Sequence, residues 1–182
     1  MNLKKLITHL YKDCHESIQA RIAYKLTRNS NYYGYIPSYD RHLYNLFEDI
    51  TKNVRSISKK KFIDIGCGFP LIPKIADILG FNDCKGLEFE DLYVKLDESG
   101  ILIHGDLLNY DFKDYDVLYS YNPIRDIKLM NDGLRNIINT MKPGAIFYFA
   151  DAGHIDDDIK LLFIRCYSLW KYQKPLKDFK KI

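Results

Sequence analysis

Apolar residues at Leu3, Leu6, Ile7, Leu10, Cys14, Ile18, Ile22 and Leu26 recur at three- and four-residue steps, which predicts one amphipathic helix over about residues 2–27. Asn29 to Tyr39, rich in Asn and Tyr with Gly34 and Pro37, reads as a loop. Ser38 is placed to cap a second helix running through Leu43, Leu46, Phe47, Ile50 and Val54. From Lys61 the rhythm changes. Strand-like apolar runs at 62–65, 84–88, 101–104, 115–121 and 145–150 alternate with helical spacing at 71–80, 90–97 and 127–141. Such alternation predicts an α/β fold: a doubly wound, mostly parallel sheet of six to seven strands with helices on both faces, preceded by N-terminal helices. Lys142-Pro143-Gly144 stops the last long helix, and the aromatic run 161–173 supplies one final strand. The expected organisation is a single domain, 1–182, with 1–60 as a helical extension or lid and 61–182 as a ligand-binding core.

The chemistry concentrates where strands end. Phe62-Ile63-Asp64-Ile65-Gly66-Cys67-Gly68 is an apolar strand that closes on an acid and two glycines, after which Leu71 to Leu79 has helical spacing. Strand, glycine turn and helix in that order let backbone approach a ligand closely. Glu88 closes the second strand, Asp106 follows the third and Asn122 closes the fourth. Ligands of doubly wound sheets sit outside the carboxyl ends of the strands, so these residues outline a pocket. Glu88 suits the vicinal hydroxyls of a ribose, Asp106 the exocyclic amine of a base, and Phe89 offers an apolar face for the base itself. Taken singly, Asp106 is equally a turn cap and Asn122 equally a partner of local backbone.

Composition narrows the setting without naming a reaction. At 182 residues, 47% apolar and 28% charged, the chain is of ordinary globular size and make-up. No apolar run approaches the ~20 residues of a membrane span, and the lysine-interrupted N-terminus lacks a signal-peptide core, so a cytoplasmic protein with no membrane association is expected. Cys14, Cys67, Cys84 and Cys166 are far apart with no C-x-x-C pair, which suggests neither zinc nor disulfides; Cys67 reads as a small residue filling a tight turn. The net charge of +3 is uneven: residues 1–30 and 171–182 carry +4 each, leaving −5 for the middle. Basic ends fit a nucleic-acid partner such as RNA, or more simply a solvated helix face and a solubilising lysine tail. His154 with aspartates 156–158 reads as an acidic helix start, a metal site being the less natural alternative.

The segments FIDIGCG (62–68), KGLEFE (85–90), HGDLLNYDF (104–112), YDVLYSYNP (115–123) and MKPGAIFYF (141–149) resemble, in order, those of the class I S-adenosylmethionine-dependent methyltransferases, a Rossmann-like family. The resemblance covers about residues 60–150. It implies S-adenosyl-L-methionine as cofactor, with Asp64, Gly66 and Gly68 bordering its methionine portion, Glu88 on the ribose, Asp106 at the adenine amine, and Phe89 and Leu107 completing the set. Asn122-Pro123 matches the first half of the Asn-Pro-Pro-aromatic motif of amino-group methyltransferases, which makes Asn122 and Tyr121 the candidate catalytic pair. Tyr33, Tyr35, Tyr119 and Tyr121 are the candidate aromatic wall around a target. The implied reaction is methyl transfer to a nitrogen or oxygen of a small molecule, protein or RNA, with no obligatory metal or protein nucleophile. The chain departs from the family at Pro70, where a third glycine is usual, and at Ile124 and Arg125, where proline and an aromatic are usual. The Gly-Phe-Pro turn is also similar to that of a ribosomal RNA guanine methyltransferase family. A binding module without catalysis and a nicotinamide-dependent Rossmann enzyme are the alternatives.

Overall fold

The computed structural model describes residues 3–16, 40–150, 155–166 and 169–176. The remainder of the predicted first helix, the Asn29–Tyr39 loop with Tyr33, Tyr35 and Ser38, and His154 lie outside the described residues. Helices α1 (Leu3–Glu16) and α2 (Asp40–Asn53) precede strand β1 (Lys61–Ile65). Then follow α3 (Leu71–Ile78), β2 (Asp83–Glu88), α4 (Asp91–Leu96), β3 (Leu102–His104), β4 (Val117–Tyr121), α5 (Ile127–Thr140), β5 (Ile146–Ala150), α6 (Asp157–Lys160), β6 (Ile164–Cys166) and β7 (Leu169–Gln173). No described helix is long and apolar enough to cross a membrane.

The strands form one seven-stranded sheet in the order β3-β2-β1-β4-β5-β7-β6. The pairs from β3 through β5 are parallel, whereas β7 is antiparallel to both β5 and β6. The sequence predicts one final strand over 161–173; the structure has two there. Leu161 to Phe163 still belong to the turn that ends α6, with Leu162 and Phe163 amides bonded back to Ile159 and Lys160, and the chain then reverses between β6 and β7. A single apolar run does not reveal a reversal that occurs inside it.

Each face of the sheet has its own core. Ile63, Ile65, Leu118, Phe147 and Phe149 pack with Met130, Leu134, Ile137 and Ile138 of α5 on one side. Phe62, Val117, Tyr119 and Tyr148 pack on the other with Ile7 of α1, Leu43, Leu46, Phe47 and Ile50 of α2, and Leu71, Ile72 and Ile75 of α3. The described parts of the N-terminal helices are thus integral to the core, because their apolar stripes are the cover for that face. Helix α5 is held at its start by Asp126, whose Oδ1 accepts the Leu129 amide proton at 2.9 Å.

One polar row crosses the second face. Asp64, Tyr119, Tyr148 and Lys171 are register neighbours on β1, β4, β5 and β7. Over its far end lies Asp49 of α2, which accepts from the Tyr148 hydroxyl at 2.6 Å, Lys171 Nζ at 2.7 Å, Asn53 Nδ2 at 2.8 Å and Cys166 Sγ at 3.2 Å. Burial opposes the Asp49 charge, yet these donors outweigh it and hold the carboxyl below its ordinary range, while the Cys166 thiol is pushed up to about 11, chiefly by burial. The network ties α2 to β5, β6 and β7.

Candidate functional site

The strand order reverses between β1 and β4, and the predicted residues gather at that edge. After Ile65 the chain hooks over β2: the amides of Gly66 and Cys67 both donate to the Leu87 carbonyl, at 2.9 and 3.1 Å. The hook requires left-handed backbone at Gly66 (φ 72) and Gly68 (φ 59), which only glycine adopts without strain. A side chain at Gly66 would also collide with Pro123, so the turn after β4 rests directly on the turn after β1.

Glu88 binds the glycine turn to β2. Its Oε2 accepts the Gly68 amide proton at 2.6 Å and its Oε1 the Glu90 amide proton at 2.9 Å. The Phe89 amide also favours the charged carboxylate, whose roughly four lone pairs leave acceptor capacity for an incoming hydroxyl. Burial pushes the Glu88 carboxyl above its ordinary range, although the backbone donors oppose this. Asp64, only 3% exposed, is pushed up to about 7 by burial, with the Glu88 charge adding to the effect and a hydrogen bond from the Cys67 thiol opposing it. Two buried acids around a glycine turn, without a cation among their described partners, are set up to meet a ligand rich in donors.

The other expected residues are placed as follows. Phe89 is 41% exposed beside Glu88 and offers a ring to the solvent side of the site. Its carbonyl is bonded to His104 Nε2 at 3.0 Å, and the Gly105 amide donates to the Glu88 carbonyl at 3.0 Å, which draws the turn after β3 against the end of β2. Asp106 caps that turn, Oδ1 accepting from the Leu108 amide at 2.9 Å, and Oδ2 leaves acceptor capacity beyond it. Leu107 is buried in the core, where the missing side chain of Gly133 on α5 makes room for it. Tyr119 is a correction. Expected on an aromatic wall, it is fully buried in the sheet-face core, since residues of a strand alternate sides and its side shares the α1–α3 packing. Tyr121 is only partly buried, and Asn122 adopts left-handed backbone (φ 35), so the chain turns abruptly where β4 ends.

Pro70 does not disturb the glycine turn. It directly precedes α3, where its missing N–H would have no helical partner in any case, and its carbonyl accepts from Lys74 at 3.2 Å. The Phe69 ring beside it packs edge-on against Tyr93 with centroids 5.3 Å apart. Ile124, in place of the family's second proline, is buried in the core, whereas Arg125 is exposed. Aspartates 156 and 158 pair with Arg135 Nη2 at 2.7 and 3.1 Å, as suits an acidic helix start, and no metal-binding cluster occurs among the described residues. Sequence reasoning missed Pro123 as the brace of Gly66, Cys67 as the partner of Asp64, and His42, whose ring lies 5.9 Å from that of Tyr121. The first contact joins the turns after β1 and β4 and the second lies within the 62–68 segment; nothing in the α2 sequence signals the third.

No family model and no curated protein matches the sequence significantly. Solved structures do match the fold. The RNA methyltransferase from Salinibacter ruber, in complex with S-adenosyl-L-homocysteine, aligns over 80% of this chain and 97% of its own at a TM-score of 0.55 and 14% identity. The N-methyltransferase NodS from Bradyrhizobium japonicum WM9 aligns over 75% of this chain and 95% of its own, with TM-score 0.53 and 14% identity. An amino pentose methyltransferase from Micromonospora echinaspora, with SAM bound, aligns over 75% of this chain and 58% of its own, with TM-score 0.50 and 15% identity. At these identities the likeness is one of fold: the chain has the α/β fold of Rossmann-like methyltransferases.

Proposed function

We propose that the protein is an S-adenosylmethionine-dependent methyltransferase acting on a nitrogen or oxygen acceptor. The observation that carries this reading is the Glu88 carboxylate, which is fixed at the strand-order reversal by the Gly68 and Glu90 amides with lone pairs left for a ribose. Bound S-adenosylmethionine supplies a methyl group on a good leaving group, so the protein has mainly to align the acceptor and exclude water. Gly66 and Gly68 let the methionine portion approach the backbone, Asp64 lies behind it, and Phe89 and Asp106 flank the adenine. Asn122 and Tyr121 stand at the acceptor side, where the Asn122 side chain and carbonyl orient the attacking lone pair. A small molecule, a protein or an RNA fits as acceptor; α1 and α2, expected as part of a lid, instead cover one face of the sheet and belong to its core. The alternative of a binding module without transfer draws on Arg125, which replaces the aromatic of the amino-group motif with an exposed charge.

Calorimetry with S-adenosylmethionine and S-adenosylhomocysteine tests cofactor binding; no heat from folded protein with either ligand refutes the reading. A tritiated-methyl screen over RNA, protein and metabolite fractions then separates transfer from binding alone, since a module that only binds labels none of them.

A further inference from the structure

Helix α5 grips the turn after β3 along one side. Gly133, Asn136 and Thr140 are three and four positions apart, so they share a face of the helix. A Cβ at Gly133 would overlap Leu107 Cδ1, which makes the glycine the seat for that side chain. Asn136 Nδ2 donates twice, to the Leu107 carbonyl at 2.7 Å and to the Tyr110 carbonyl at 2.9 Å. Both partners are acceptors, and this fixes which way the amide faces. The Phe112 amide donates to Thr140 Oγ1 at 3.3 Å one turn further along. Bonds inside the turn set only its shape: Asp106 Oδ1 accepts from the Leu108 amide, and the Asp106 carbonyl accepts from the Asn109 and Tyr110 amides at 3.1 and 3.0 Å. Its placement comes from two anchors, the Gly105 amide on the Glu88 carbonyl of β2 and the Asn136 amide of α5. Asp106 lies between them.

We propose that Asn136 is the positioning residue through which the 106–110 turn reads the exocyclic amine of adenine, so that α5 sets the preference for an adenosyl ligand; this rests on the methyl-transfer reading above. Asn136 acts through Asp106 and the backbone of the turn. Without its amide, two carbonyls lose their donor and the turn is free to shift as a unit about its Gly105 end. A hydrogen bond between Asp106 Oδ2 and the amine tolerates a displacement of only about 0.5 Å. The Glu88 carboxylate is held by the Gly68 and Glu90 amides instead, so recognition of the ribose does not pass through α5. The effect of Asn136 is therefore confined to the base.

The test compares S-adenosylhomocysteine with S-inosylhomocysteine, in which an oxo group replaces the exocyclic amine, by calorimetry on the full chain. An oxo group facing a carboxylate sets two acceptors against each other, so the wild type should bind the adenosyl ligand about tenfold more tightly or better. Asn136→Ala should lower that ratio by about threefold or more, yet change it by less than about twofold in an Asp106→Ala background. A folded Asn136→Ala protein that keeps the wild-type ratio overturns the proposal, even where both affinities fall, because a purely structural loss weakens both ligands alike. A wild type that binds both ligands equally overturns it as well. If Asn136→Ala does not fold, side-chain amide exchange at Asn136 in isotope-labelled wild type decides. Exchange should be slower by about threefold or more with saturating adenosyl ligand than with saturating inosyl ligand, since coupling between Asp106 and Asn136 is reciprocal. Equal rates overturn the proposal. No binding of S-adenosylhomocysteine to folded protein refutes the methyl-transfer reading, and this proposal with it.

Discussion

Glu88 on β2 accepts the Gly68 amide proton at 2.6 Å, so the acid of one motif and the glycine turn of another form a single unit. That bond aligns the carboxylate and fixes the turn at once. The variant Glu88→Ala should accordingly weaken S-adenosylhomocysteine binding by about 1–3 kcal/mol, read by calorimetry. Unchanged affinity would mean that the ribose is held elsewhere.

Gly66 carries two separate demands, a left-handed φ of 72 and room for Pro123. Gly66→Ala should destabilise the fold by about 2–5 kcal/mol in urea unfolding, the sum of backbone strain and overpacking. Adding Pro123→Gly, which removes the Cβ that a side chain at 66 would strike, should restore the overpacking part and leave the strain. A double variant no better than the single would show that the two turns do not bear on each other.

Asp64 sets a pH dependence whose sign is opposite to that of an ion-paired acid. Burial raises its folded value to about 7 from an ordinary 3.8, so the folded state favours the protonated acid. The stability this gives is fully present below about pH 4, falls as pH rises through 7, and amounts to a loss on the order of 4 kcal/mol above it. Asp64→Asn should flatten stability between pH 4 and 7 and exceed the wild type at pH 8, as unfolding curves across that range will report.

Asp49 acts in the other direction, because its donors hold it ionised. Asp49→Asn leaves Lys171, 14% exposed at its side chain, without its counter-charge. A loss of about 2–4 kcal/mol is expected in urea unfolding. A loss under about 0.5 kcal/mol would place the pair among ordinary surface contacts.

Asn122 sits at φ 35, which glycine tolerates better than any other substitute. Asn122→Gly should therefore fold and bind S-adenosylhomocysteine within about threefold of the wild type, yet reduce labelled methyl transfer by about 100-fold through loss of acceptor alignment. Retained transfer would remove Asn122 from the catalytic pair.

The alternating runs from Phe62 to Ala150 were enough to predict the parallel sheet, because buried strands and amphipathic helices each impose their own period on the chain. The same local logic placed Asp64, Glu88, Asp106 and Asn122 at strand ends, since polar residues that close apolar runs are visible without any contact. Pro123 against Gly66, the β6–β7 reversal and the burial of Tyr119 were decided only by tertiary structure. So was the meeting of His42 with Tyr121, 79 positions apart in the chain. Periodicity reports which side of an element is buried; which distant residue it is buried against depends on strand order and on the direction in which each helix returns, and neither is written in any one segment.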